Sequence, residues 1–169
     1  MVLFFWPMNF TFICPTEVCQ FNDRKTEFDD INVQLIGVSC DSKFSHRAFT
    51  LMPRNKGGLG PMQVPMVSDI TKSISRNYGC LVDSEDEEAG VALRATYIIG
   101  PDGVLRHKTV SDFAVGRNLD ETLRLVKGFQ HTDEHGTACP SGWQPGNTTF
   151  HPEHGSDSLT SFWENEHSK

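Results

Sequence analysis

One stretch near the start of the chain constrains the fold most: a bulky apolar run, a proline, and then a cysteine where a helical pattern begins. Residues 2–6 form a short, continuous apolar run, which is typical of a buried strand, and Pro7 ends it. The pattern from Cys14 predicts a helix through about Asp30, with a proline and a glutamate in its first turn. Free N–H groups at a helix N-terminus favour an anion, so this junction places a candidate thiolate nucleophile at Cys14.

Length, charge and hydropathy exclude several classes of protein. A chain of 169 residues is most simply one domain with a real core. The net charge of −7 and the lack of a basic cluster argue against nucleic acid as a partner. No apolar run in the sequence approaches the roughly 20 residues that a membrane span needs. The sequence therefore predicts a globular protein with no nucleic-acid or membrane partner.

Strand and helix patterns alternate along most of the chain. They predict strand 2–6, helix 14–30, strand 33–40, helix 42–52, strand 63–67, helix 69–78, hairpin strands 91–99 and 104–110, and a helix that Asn118 caps. Either Asp41 or Ser42 is expected to cap the second helix, and either Ser68 or Asp69 the third. This order predicts an α/β fold in which a central mixed sheet is flanked by helices.

The composition changes at about His131. Prolines, glycines, histidines and small polar residues follow to Pro152, which predicts an extended arm, and residues 156–169 predict a short terminal helix. We therefore divide the chain into a domain of residues 1–130 and a C-terminal arm of residues 131–169.

The histidines of this arm raise the question of a metal site. His131, His135 and Cys139 are spaced by four, which on a helix places ligands on one face. Gly136 and Pro140 are expected to break any helix there, so a solvated arm is favoured and no metal is predicted.

Five cysteines are scattered through the chain, an odd number that does not resemble a secreted disulfide framework. A reducing compartment with one or two working thiols is the better interpretation. Cys19 lies about 140° around and roughly 7.5 Å along the helix from Cys14, beyond disulfide reach. Cys40 and Cys80 are interpreted as structural thiols, because one follows a buried strand and the other a helix end.

Several motifs together resemble the typical 2-Cys peroxiredoxins. Their signature Pro-x-x-x-Thr-x-x-Cys is filled by Pro7, Thr11 and Cys14. The similarity continues, in the right order, through residues 38–42, 57–61, 92–94, 115–117, 120–124 and 138–143. The resemblance implies a thioredoxin-like fold. In members of this family, further strands and a helix precede the position that corresponds to Met1. We therefore expect a domain that lacks its N-terminal part.

The resemblance also implies roles for the residues around Cys14. Cys14 would attack the peroxide, while Thr11 and Arg94, with backbone N–H groups, would bind the peroxide oxygens. Arg94 would also be the cation beside the thiolate, and Pro7 would shield that thiolate from water.

Two charged residues and a second cysteine complete the implied set. Glu17 and Arg117 would pair with one another or with Arg94 and orient the site. Cys139 would be the resolving cysteine, supplied by the partner subunit, which implies an obligate homodimer and a ring of dimers such as a decamer.

The implied activity is a thiol-dependent peroxidase that reduces hydrogen peroxide and organic hydroperoxides. A Cys14–Cys139 disulfide between subunits would be recycled by thioredoxin or a related dithiol protein, with no bound cofactor. A chaperone, a redox-signalling protein and an inactive fragment are the alternatives. A thioredoxin-type disulfide oxidoreductase is a weaker alternative, because no second cysteine lies at Cys-x-x-Cys spacing from Cys14. The cytoplasm is the expected location, with mitochondrion or plastid open if a preceding segment exists.

Overall fold

The computed structural model describes residues 1–83, 85 and 87–168. These residues form two compact units, Met1–Arg117 and Asn118–Lys169. The first unit contains β1 (Val2–Phe5), α1 (Cys14–Asp23), α2 (Lys25–Asp29), β2 (Leu35–Ser39), α3 (Lys43–Leu51), a 3₁₀ turn (Arg54–Lys56), β3 (Met66–Ser68), α4 (Ser73–Asn77), β4 (Arg94–Ile99) and β5 (Leu105–Ser111). The second contains α5 (Leu119–His135) and α6 (Asp157–His167).

The five strands form one mixed sheet in the order β3-β2-β1-β4-β5, which confirms the sheet predicted from the sequence. β1 pairs in parallel with β2, so that Val2 lies opposite Leu35, and antiparallel with β4, where Val2 lies opposite Ile98. The continuous apolar character of β1 follows from this central position, because a central strand is covered on both faces and all four of its residues are buried.

The side chains of β1 alternate between two cores. Leu3 and Phe5 belong to a buried cluster that also contains Tyr97 of β4. Phe4 points the other way and stacks on Phe21 of α1, with the ring centroids 3.9 Å apart. This stacking fixes α1 against the central strand and thereby positions the first turn of α1 at the end of the sheet.

The single helix predicted over residues 14–30 is in fact two helices. The backbone of Arg24 (φ −99°, ψ 12°) separates α1 from α2. At the end of α1, Asp23 forms a bidentate ion pair with Arg54, with N–O distances of 2.7 and 2.8 Å. A helical pattern contains no information on such a distant partner.

The predicted helix over residues 69–78 begins later than expected, at Ser73. Lys72 adopts a left-handed conformation (φ 60°) ahead of it. The carboxylate of Asp69 reaches forward and accepts the N–H groups of Ile74 and Ser75, at 3.1 and 2.7 Å. For α3, Ser42 is the cap, because its hydroxyl accepts the Ser45 N–H.

In the second unit, Asn118 caps α5 as predicted, accepting the N–H of Asp120 at 2.9 Å. The prediction that no helix includes His131 and His135 was wrong, since α5 continues to His135 and the two rings stack with centroids 4.2 Å apart. Gly136 (φ 64°) ends the helix at its C-cap and does not interrupt it.

The predicted terminal helix is present as α6, where Ser156 accepts the N–H of Leu159. Across the described part of the chain, every helix is too short or too polar to span a membrane.

Candidate active site

The junction between β1 and α1 places Cys14 in the first turn of a helix, as the sequence predicted. The loop of residues 6–13, here called the Cys14 loop, leads from the sheet to this helix. Ile13 at the N-cap offers no side-chain acceptor, and its carbonyl accepts the N–H groups of Thr16 and Glu17. Cys14 itself is fully buried, and Pro7 near the start of the loop is also buried. The thiol therefore lies inside the protein, at the positive end of the α1 dipole.

Arg94, the first residue of β4, supplies a cation to this thiol. Its side chain is only 4% exposed. Nη1 donates to the Cys14 sulfur at 3.4 Å, and Nε donates to the carbonyl of Phe113 at 3.0 Å. The backbone carbonyl fixes the plane of the guanidinium, so that one N–H edge faces the sulfur.

Glu17 joins Arg94 to Arg117 in a buried cluster of charges. Its carboxylate lies 2.5 Å from Nη1 of Arg94 and accepts both the backbone N–H and the Nε–H of Arg117, at 2.7 and 2.8 Å. Burial alone would raise the pKa of Glu17, but the charge and hydrogen bonds of Arg117, with the charge of Arg94, hold that pKa below its usual range. The pairing predicted between these three side chains is present.

The net charge of this cluster favours an anion at Cys14. Two guanidinium groups and one carboxylate leave a net charge of +1 in a region where each of the three side chains is at most 6% exposed. A buried charge that lacks a counterion is costly, and an anion at the position of the Cys14 sulfur would supply that counterion. The geometry therefore places a net positive charge within hydrogen-bonding distance of the Cys14 sulfur.

A pocket of about 500 Å³ opens beside the cluster. Its lining includes Pro7, Thr11 and Arg94, together with apolar side chains such as Ile13 and Phe113. The Thr11 hydroxyl donates to the carbonyl of Met8 at 2.9 Å, and it is held in the loop with its lone pairs still able to accept. Thr11 and Arg94 therefore line the same pocket.

Three other cysteines have surroundings that keep them protonated. Burial raises the pKa of Cys19 and of Cys40, and it raises the pKa of Cys80 to about 11. A thiol, unlike a thiolate, is a poor nucleophile, which agrees with the structural roles expected for Cys40 and Cys80.

Cys139 lies in the second unit, just beyond the end of α5. Its half-buried sulfur lies 3.8 Å from the Gly128 carbonyl and 3.8 Å from the Thr132 hydroxyl. Within the described residues, no group of three or more His, Cys, Asp or Glu side chains is placed to hold a metal ion.

Some groups of the site were missed by sequence reasoning. The Phe113 carbonyl that orients Arg94 belongs to the backbone and leaves no signal in the sequence. Asp41 was considered only as a helix cap, yet its carboxylate accepts the N–H of Asn9 in the Cys14 loop at 2.9 Å. An acidic residue directly after a buried strand was the one available signal for this contact.

Both units of the chain are similar in sequence to one group of enzymes. The model of the AhpC/TSA family matches residues 1–108, and that of the C-terminal domain of 1-Cys peroxiredoxin matches residues 128–165. Peroxiredoxin-2 of Rattus norvegicus is 51% identical over 152 residues, which cover 90% of this chain and 75% of the relative. The mitochondrial thioredoxin-dependent peroxide reductase of Mus musculus is also 51% identical, over 90% of this chain and 58% of the relative.

A solved structure agrees with these relatives. The reduced 2-Cys peroxiredoxin of Plasmodium vivax superposes with a TM-score of 0.83 at 39% identity, covering 88% of this chain and 74% of that structure. The mixed sheet and its helices thus have the thioredoxin-like architecture of that group of structures.

Proposed function

Since this chain belongs to the AhpC/TSA family of peroxiredoxins and is a thiol peroxidase, an oxidoreductase, we propose that Cys14 is the residue that attacks the peroxide. One observation carries the proposal: the Arg94 guanidinium donates to the sulfur of a fully buried Cys14 at 3.4 Å, within a cluster that otherwise has a net positive charge. The substrates proposed are hydrogen peroxide and organic hydroperoxides.

In the first step the Cys14 thiolate attacks one oxygen of the hydroperoxide. An S–O bond forms, the O–O bond breaks, and the sulfur loses two electrons to become a sulfenic acid. The leaving oxygen takes up a proton and departs as water or an alcohol. Arg94, with backbone N–H groups of the first turn, stabilises the charge that develops on that oxygen, and the Thr11 hydroxyl orients the peroxide.

The surrounding residues position these groups. Glu17 bridges Arg94 and Arg117 and so keeps the Arg94 guanidinium beside the sulfur. Pro7, buried at the start of the Cys14 loop, limits the access of water to the thiolate. Arg117 is anchored in turn by the Ala95 carbonyl at 2.8 Å.

In the second step Cys139 of a partner subunit attacks the sulfenic sulfur. An S–S bond forms, the S–O bond breaks, and water leaves. This step makes the active enzyme a homodimer, and we propose that dimers associate into a ring. We propose that residues 1–130 form the peroxidase domain and that residues 131–169 form the arm that supplies Cys139.

In the third step a dithiol protein reduces the disulfide and restores both thiols. The relative from Mus musculus is named a thioredoxin-dependent peroxide reductase, and we propose thioredoxin or a related protein as the reductant here. The cycle needs no bound cofactor, because all electrons pass through cysteine sulfur. We propose the cytoplasm as the location, with mitochondrion or plastid as alternatives, since the relatives include a mitochondrial protein.

The test is peroxide consumption with thioredoxin, thioredoxin reductase and NADPH. We expect Cys14→Ser to abolish both turnover and sulfenic acid formation. Cys139→Ser should lose turnover but still consume one equivalent of peroxide. Cys40→Ser is the matched control, and its turnover should equal that of the parent. A Cys14→Ser variant that still turns over would contradict the proposal, and so would a Cys139→Ser variant with full turnover.

A further inference from the structure

The Cys14 loop contains one residue in an unfavourable conformation. Phe10 has φ 60°, in the left-handed region that residues with a side chain rarely adopt. Phe10 is 49% exposed, and the centroid of its ring lies 4.7 Å from that of Phe49 in α3. Such a conformation persists only when neighbouring structure imposes it, so other contacts must hold the loop.

Hydrogen bonds with fixed directions connect this loop to α3. The indole N–H of Trp6 can only donate, and it donates to Oδ1 of Asn9 at 3.0 Å. The Asn9 amide nitrogen therefore points to the Ser45 hydroxyl, at 2.9 Å. That hydroxyl in turn gives its only proton to Oδ1 of Asp41, at 3.0 Å.

A second series of hydrogen bonds ends at the same carboxylate. The Ser39 hydroxyl donates to Oδ2 of Asp41 at 2.8 Å, because a carboxylate can only accept. Ser39 must then accept from Nε2 of His46, 2.8 Å away. His46 is 4% exposed, and its Nδ1 has no hydrogen-bond partner among the described residues, as expected for a neutral ring in this tautomer.

The contact that matters is the one to the loop backbone. Oδ2 of Asp41 also accepts the N–H of Asn9 at 2.9 Å, one residue before Phe10. We propose that Asp41 is a positioning residue for the peroxidase reaction: its carboxylate, oriented by Ser39 and Ser45, clamps the Cys14 loop so that Cys14 stays buried beside Arg94. This inference rests on the proposed function of Cys14.

The two chemical steps make opposite demands on this clamp. Reaction with peroxide requires the Cys14 sulfur next to Arg94, where it is 0% exposed. Bonding to Cys139 of another subunit requires the same sulfur to become reachable. A weaker clamp should therefore slow the first step without slowing the second.

Asp41→Asn is the direct test. An asparagine at this position offers one acceptor oxygen instead of two. Either the Asn9 N–H then faces an NH₂ group, or the Ser45 hydroxyl must turn its proton away and lose its acceptor. We expect the rate of Cys14 oxidation by hydrogen peroxide, measured in a Cys139→Ser background, to fall about tenfold. The rate of disulfide formation, measured with Cys139 present, should be unchanged or higher. The ratio of the disulfide rate to the peroxide rate then rises at least about tenfold.

Asp69→Asn is the matched control. The Asp69 carboxylate is 2% exposed and likewise accepts backbone N–H groups, but those groups belong to Ile74 and Ser75. This variant should lose thermal stability and keep the parental ratio of the two rates. A role of Asp41 in stability alone would make the two variants behave alike.

The outcomes separate this inference from the proposed function. If the parent forms neither sulfenic acid nor disulfide, the proposed function fails. If the parent performs both steps and Asp41→Asn has an unchanged or lower ratio, the clamp is overturned. Should Asp41→Asn fail to fold, Ser45→Ala decides, since it keeps the carboxylate and removes one donor. Its ratio should rise about threefold, and no rise would overturn the proposal.

Discussion

Cys14 and Cys80 are both completely buried in the first unit, but their surroundings have opposite electrostatic character. Cys14 accepts an N–H from Arg94, in a cluster with Glu17 and Arg117. Cys80 lies in an apolar cluster with Tyr97, and burial raises its pKa to about 11. Solvent exposure therefore does not distinguish the proposed nucleophile from a cysteine with a proposed structural role. The distinguishing feature is a permanent cation within hydrogen-bonding distance of the sulfur.

The largest expected effect is on the selectivity of oxidation between these two thiols. With a pKa of about 11, Cys80 is a thiolate in about one molecule in ten thousand at pH 7. We expect hydrogen peroxide to oxidise Cys80 at least about a thousandfold more slowly than Cys14. Brief exposure to peroxide, followed by mass spectrometry of each cysteine, measures this difference. Similar oxidation rates for both thiols would contradict the proposed difference in reactivity between Cys14 and Cys80.

The next effect concerns the cation itself. Arg94→Met removes the N–H donor and the charge next to Cys14, and the rate of peroxide reduction should fall about 10²–10³-fold. Arg94→Lys should recover only part of this loss. Arg94 donates to the Phe113 carbonyl from Nε and to the sulfur and Glu17 from Nη1, whereas lysine has a single nitrogen that cannot occupy both positions. Arg54→Met is the control, since Arg54 pairs with Asp23 at the surface, and its rate should match that of the parent. Equal losses in both methionine variants would contradict the assigned role.

A smaller effect on catalysis, but a clear one on stability, is expected from Glu17→Gln. Removing the shared carboxylate leaves two buried guanidinium groups without their counterion, which should lower the free energy of unfolding by about 3–5 kcal/mol. Glu121→Gln, at a side chain that is 51% exposed, should change it by less than about 1 kcal/mol. Urea denaturation at pH 7 of the two variants measures both values.

The pH dependence of the same measurement gives the sign of the Glu17 contribution. Because the folded state holds the pKa of Glu17 below its usual value of 4.5, its contribution is complete above that pH. The contribution decreases as the pH falls below 4.5 towards the lower pKa of the folded state. Glu17→Gln should therefore show a flatter loss of stability in this acidic range, and parallel curves would contradict the ion pair.

The sequence predicted the parts of this arrangement that local patterns determine. A bulky apolar run, a proline and a helix-start signal were enough to place Cys14 at a strand-to-helix junction. The hairpin predicted for strands 91–99 and 104–110 is likewise present as β4 and β5. These features depend on residues close together in the chain, and they were confirmed.

The parts that were not predicted depend on distant residues or on the backbone. The break at Arg24 coincides with an ion pair between Asp23 and Arg54, 31 positions apart. The network that joins Asn9 to Asp41 spans 32 positions. The activity and the roles of Arg94 and Arg117 came from the family resemblance, since neither arginine lies in a local pattern that distinguishes it from a surface charge.

The long separation of the groups around Cys14 has a consequence for the newly made chain. Arg94 is 80 positions from Cys14, and Arg117 is 100 positions from Glu17. Contacts between residues so far apart in the sequence form late in folding, because the entropy cost of closing long loops must first be overcome. An incompletely folded chain therefore carries Cys14 with no guanidinium beside its sulfur. The proposed nucleophile gains its guanidinium partner only when β4 joins the sheet, and we expect folding intermediates to be less prone to oxidation at Cys14 than the folded protein.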